Sequence, residues 1–253
     1  MKQVPKSREF LLFALAHLHA RGCQVSNEIL TLLKGGFADG ANARWRTLHE
    51  LNIVAMFLAK HGEEAARRFV THAKVESYRQ SVVYQKHHET LGFEAPDPGE
   101  LKRIEQDYGD AVAEFGRDFG KEYGWAAPAL GKQRPSFRGI EENVQQDHYR
   151  PLYKSACVNV HASPKRIGFS LGWVGLNVLP AGPSNMGLAD PGMGTAISLS
   201  QLTNSLLVQH ATIERICTMR ALQALVERSK TAFMSVHARL PQYQQEDQGQ
   251  SPD

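Results

Sequence analysis

Between Leu51 and Ala59 the sequence reads LNIVAMFLA, and Asn52 is its one polar side chain. A helix apolar on every side must pack on more than one side, so this stretch predicts the central element of a helical bundle. Four ionisable groups, Arg44, Arg46, His49 and Glu50, stand directly before it. Burying a charge without a partner is very costly. These groups must therefore pair, face a watery cleft, or do both.

Helical periodicity dominates the remaining chain, and no convincing strand alternation stands outside one glycine-rich region. A first helix is expected from Ser7, carrying Phe10, Leu11, Leu15 and Leu18. It should break near Gly22, resume, and stop at Gly35 and Gly36. Asp39 is expected to cap the second helix, which ends at Gly62. A third runs from Glu63 to Leu91, with Val75, Tyr78 and Val82 at core spacing. Asp97 caps a fourth, opened by Pro98 in its first turn and reaching about Phe119. The stretch from Lys121 to Pro135 reads as a loop, Ser136 to His148 as a helix, and Pro151 opens another that ends before Pro164. Residues 165–194 contain seven glycines and read as an ordered irregular loop, with a short hairpin as the alternative. Trp173, Asn177, Asn185 and Met186 could cover a cleft from it. A last long helix is expected from Thr195 to Val236. The predicted fold is all-α: a single helical-bundle domain over 1–240, one long glycine-rich loop, and a disordered polar tail over 241–253.

Composition narrows the function classes. A net charge of +3 over 253 residues is too mild to announce a nucleic-acid or membrane partner. The opening MKQVPKSREF lacks the apolar run of a signal peptide, and no segment reaches the roughly 18 apolar residues of a membrane span. Three scattered cysteines, Cys23, Cys157 and Cys217, suit a reducing compartment. The expected location is the cytoplasm, with no membrane partner and no cofactor.

Arg46 and Glu50 are one helical turn apart and can form an ion pair. Arg44 and His49, with four residues between them, combine a phosphate-holding guanidinium with an imidazole that moves protons near neutral pH. That combination suits cleavage of RNA by attack of the ribose 2′-hydroxyl on its neighbouring phosphorus. With 17 arginines and 11 histidines, chance alone yields about two such spacings; the second is Arg67 and His72. Only the place of Arg44 and His49 on the apolar helix gives them weight. In the later segment HYRPLYKSACVNVHASPK, Tyr149, Tyr153, Cys157 and His161 recur every four residues and share one face. Tyr153 and His161 are expected to complete the cleft of Arg46 and Glu50. A metal-dependent alternative uses Glu50, His72 and Glu76, although no HExxH or paired ExxH set is present and His72 reads more simply as part of a solvated face. No phosphate loop and no GxSxG elbow is present.

Arg46-Thr47-Leu48-His49-Glu50, an R-x-L-x-E core, together with Tyr153 and Val160-His161, resembles a group of bacterial all-helical proteins classed as a domain of unknown function. The resemblance runs from about residue 25 to 215 and brings no activity with it. The Arg44–His49 spacing also resembles HEPN proteins, compact helical domains often found as RNA-cutting toxins or antiviral abortive-infection effectors. This second resemblance implies a metal-independent endoribonuclease in a toxin or phage-defence setting, working as a homodimer, with RNA as substrate and an antitoxin or defence-system partner. Arg44 or Arg46 would hold the phosphate, His49 or His161 would move the proton, and Glu50 would orient the arginine. The alternative, from another class, is a non-catalytic helical module that binds a ligand or partner in the same cleft.

Overall fold

The computed structural model describes residues 8–131, 134–161, 164, 170–172 and 181–249, with the backbone alone for 241–249. Ten α-helices are used below: α1 (Glu9–Lys34), α2 (Ala38–His61), α3 (Glu63–Thr71), α4 (Ala73–Leu91), α5 (Pro98–Phe115), α6 (Ala127–Leu130), α7 (Phe137–Asn143), α8 (Arg150–Val160), α9 (Ala189–Leu207) and α10 (Ile213–Gly249). The fold is all-helical, with no strand among the described residues. Contacts divide the chain into two compact units. One comprises Met1–Ala14 and Phe57–Gln145, the other Leu15–Met56 and Gln146–Asp253.

In the second unit the apolar part of α2 behaves as its composition requires. No residue from Ala38 to Met56 is exposed, and Leu48, Ile53 and Ala55 are fully buried. The expected break in α1 does not occur. Gly22 lies inside a continuous helix because the Leu202 side chain of α9 packs where its Cβ would be. Asp39 does not cap α2. It sits within the first turn, and its carboxylate accepts hydrogen bonds from the Leu171 amide at 3.0 Å and the Ser170 hydroxyl at 2.5 Å.

The glycine-rich region ends earlier than its composition suggests. α9 begins at Ala189 and includes Gly192 and Gly194. These glycines permit close packing rather than a loop: a Cβ on Gly192 would meet the Phe233 ring of α10, and one on Gly194 would lie 2.7 Å from Trp45 Nε1. Trp173 and Asn177 lie outside the described residues. Asn185 is exposed and Met186 half-buried. The expected last helix is two helices, α9 and α10. The Arg215 amide donates to the Thr212 hydroxyl at 3.3 Å at the start of α10, a cap in a junction that lacks glycine and proline. α10 runs through Gly249, into the segment expected to be a tail, and residues 250–253 lie outside the described set.

In the first unit the expected third helix is divided at His72 into α3 and α4. His72 is 3 % exposed rather than on a solvated face: it packs edge-on against Phe119, and its Nε2 lies 3.1 Å from the Lys121 carbonyl oxygen. Val75 is buried as expected, whereas Val82 is exposed. Asp97 caps α5 by accepting from the Glu100 amide at 2.7 Å, and Ser136 caps α7 by accepting from the Gly139 amide at 3.2 Å. The stretch read as a loop from Lys121 to Pro135 contains the short helix α6.

Candidate functional site

The polar residues that precede the apolar part of α2 separate onto different faces, all within the second unit. Arg46 and Glu50, one turn apart, meet at 2.9 Å between guanidinium and carboxylate. α8 brings Tyr153 onto this pair. The phenol donates to Glu50 Oε1 at 2.5 Å and accepts from Arg46 at 3.0 Å, so one hydroxyl closes a triangle with an acid and a base. Arg46 and Glu50 keep 27 % and 31 % of their side-chain surface, while Tyr153 is 7 % exposed. The guanidinium groups of Arg46 and Arg150 lie 5.2 Å and 5.3 Å from the Tyr153 ring centre, within cation–π range.

Environment sets the protonation of the triangle. Burial works against the Arg46 charge, but Glu50, assisted by Tyr153, outweighs it and holds the guanidinium above its ordinary value. Burial, then the hydrogen bond to Glu50, pushes the Tyr153 phenol well above its ordinary value despite Arg46. The hydroxyl is therefore held protonated as a donor to Glu50. Among the described residues, Arg46 Nε is buried with no hydrogen-bond partner.

The Arg44–His49 spacing does not produce one joint contact. Arg44 forms an ion pair with Glu28 of α1 and lies 3.4 Å from the Thr47 hydroxyl. Its hydrogen bond holds the Glu28 carboxyl below the ordinary range, with burial opposing. His49 is 1 % exposed, its ring among those of Trp45, Tyr149 and Tyr153 at centroid distances of 5.3, 6.0 and 5.7 Å. Trp45 is fixed by donating Nε1–H to the Ser198 hydroxyl at 3.1 Å. His161, the residue after α8, is exposed, and its amide donates to the Cys157 carbonyl at 3.2 Å. The fold thus groups Arg46, Glu50 and Tyr153, packs His49 beneath them, and turns Arg44 toward Glu28.

One polar element was missed from the sequence. Asn52, fully buried, donates to Gln201 Oε1 at 2.6 Å, and Gln201 donates to Gln146 Oε1 at 3.2 Å. This amide chain extends the polar face of α2 to α9, and only the unremarkable polar interruption at Asn52 hinted at it. Among the described residues, no group of three or more His, Cys, Asp or Glu side chains is arranged to hold a metal. His72 and Glu76 of the first unit stand 3.6 Å apart as a pair. Among the described residues no helix is long and apolar enough to cross a membrane.

A family model described as "Family of unknown function (DUF5677)" matches residues 12–172. No curated protein matches the sequence, and no solved structure matches it.

Proposed function

The chain belongs to the DUF5677 family, whose function is unknown, and from the Arg46–Tyr153–Glu50 triangle we propose an RNA-acting, HEPN-like protein that cleaves phosphodiesters without a metal. The observation that carries this reading is the shared Tyr153 hydroxyl, which holds a carboxylate and a guanidinium side by side at a partly exposed edge. Glu50 accepts the proton of a ribose 2′-hydroxyl as that oxygen bonds to phosphorus. Arg46 swings from Glu50 to a non-bridging phosphate oxygen, where charge builds. The bond from phosphorus to the 5′-oxygen breaks, and exposed His161 supplies the departing oxygen with a proton. The products are a 2′,3′-cyclic phosphate and a 5′-hydroxyl.

This reading redistributes the roles expected from sequence. Arg44, paired with Glu28, is left out of the chemistry, and buried His49 positions Tyr153 rather than exchanging protons with substrate. The test is incubation of the full chain with a panel of RNAs in the presence of a chelator. Cutting with cyclic-phosphate ends is expected, lost in Glu50→Gln and Arg46→Ala and retained in Arg44→Ala. Intact RNA after incubation with folded wild-type protein removes the reading. The toxin or defence setting, a homodimer and an antitoxin partner belong to the same proposal.

A second reading, a non-catalytic binding module, draws on the buried Arg46 Nε without a partner. An unmade hydrogen bond at a buried donor costs about 1–3 kcal/mol, and a bound acceptor would recover it. In that case ligands raise the melting temperature with occupancy while RNA stays whole.

A further inference from the structure

α9 and α10 follow one another across the short connection 208–212 and pack side by side within the second unit. Between them lies a groove of about 520 Å³, within the ordinary size range of ligand sites. One wall runs along α9 from Ile197 to Asn204, the other along α10 from Ile216 to Val226. At the helical rise these walls are about 10–15 Å long, room for about three or four residues of extended chain.

Two polar groups of the groove lack partners. Asn204 Oδ1 is buried with no hydrogen bond among the described residues. Arg220 is exposed, and among the described residues no carboxylate pairs with it. Gln201, which also lines the groove, is already engaged: it accepts from Asn52 at 2.6 Å and donates to Gln146 at 3.2 Å. A helix pair built only to pack gains nothing from a buried acceptor, which costs stability until a donor meets it. Asn204 stands in the last turn of α9 and Arg220 in the second turn of α10, so both belong to the connected end of the groove. The walls are otherwise largely apolar, with Ile197, Ile216, Met219 and Val226. Unpaired bases are held largely by stacking on aromatic rings, and none of the lining side chains is aromatic.

We infer that this groove takes the C-terminal end of a peptide chain whose last residue is aliphatic. Arg220 holds the terminal carboxylate, a pairing of guanidinium with carboxylate that favours two parallel hydrogen bonds. The amide N–H of the last residue donates to Asn204 Oδ1, and its side chain lies against Ile216 and Met219. The preceding residues run toward Ile197 and Val226, which accounts for a groove longer than one residue. No residue of the triangle lines this groove, so the site stands or falls independently of the RNA reading.

The test titrates the full chain, without RNA, with acetylated alanyl-alanyl-leucine bearing a free carboxylate, and follows binding by saturation-transfer NMR. Saturable binding at roughly millimolar concentration or below is expected. The same peptide ending in an amide should bind roughly fivefold more weakly or worse, and so should the free-acid peptide to Arg220→Gln. Asn204→Leu should also weaken binding while its melting temperature stays level or rises, because the buried acceptor is gone; a purely structural asparagine would instead lower it. Acetyl-leucine alone should bind more weakly than the tripeptide. No saturable binding to folded wild type, equal binding of the amidated peptide, or unchanged affinity in Arg220→Gln overturns the proposal. Acetyl-leucine binding as tightly as the tripeptide, or adenosine monophosphate displacing it, overturns the peptide assignment as well.

Discussion

Replacing Tyr153 by phenylalanine removes one oxygen and keeps the ring against His49, which makes it the cleanest probe of the triangle. The oxygen gives a 2.5 Å bond to Glu50 and takes a 3.0 Å bond from Arg46. Hydrogen bonds to charged groups contribute about 1.5–3 kcal/mol each. Two effects reduce that sum. The direct Arg46–Glu50 contact at 2.9 Å survives, and both side chains keep nearly a third of their surface, so water replaces part of what is lost. A net loss of about 1–2 kcal/mol follows once solvent screening is applied. For a chain of this length each kcal/mol lowers Tm by about 2–4 °C, and urea unfolding gives an independent measure. Arg46→Ala, and the double variant with Tyr153→Phe, complete a cycle whose coupling energy should exceed about 0.5 kcal/mol. Equal stability of Tyr153→Phe and wild type, or a coupling of zero, refutes the triangle as a linked unit.

The same phenol makes a pH signature with a definite sign. Its folded value lies above the ordinary 10.0, so its stabilising contribution is complete below that pH and is lost as pH rises beyond it. The stability gap between wild type and Tyr153→Phe should be flat near neutrality and shrink above pH 10.0; a gap that widens there contradicts the assignment. Gly194→Ala sets helix preference against packing. Alanine gains up to about 1 kcal/mol of propensity, but its Cβ would stand 2.7 Å from Trp45 Nε1, and overpacking costs about 1–3 kcal/mol. Net destabilisation with altered tryptophan fluorescence is expected, and a stabilised variant refutes the close approach. Arg44→Ala removes a surface ion pair with Glu28 and should cost under about 1 kcal/mol by urea unfolding; a larger loss would mark Arg44 as part of the core polar network.

Apolar and polar spacing along the chain determined the helical class, the burial of α2, the Asp97 cap and the Arg46–Glu50 pair. Each is local: a cap, an i,i+4 contact or an uninterrupted apolar face acts within a few residues. Tyr153 joining that pair was also within reach, because α8 presents it on a face at helical spacing. Packing between distant segments decided the rest. Gly22, Gly192 and Gly194 read as breaks, yet they lie in helices because Leu202, Phe233 and Trp45 fill the space their side chains would need. Arg44 and His49 share a spacing but not a contact, since Arg44 pairs with Glu28 and three aromatic rings surround His49. Asn52 meets Gln201, 149 positions away, a relation no local pattern encodes.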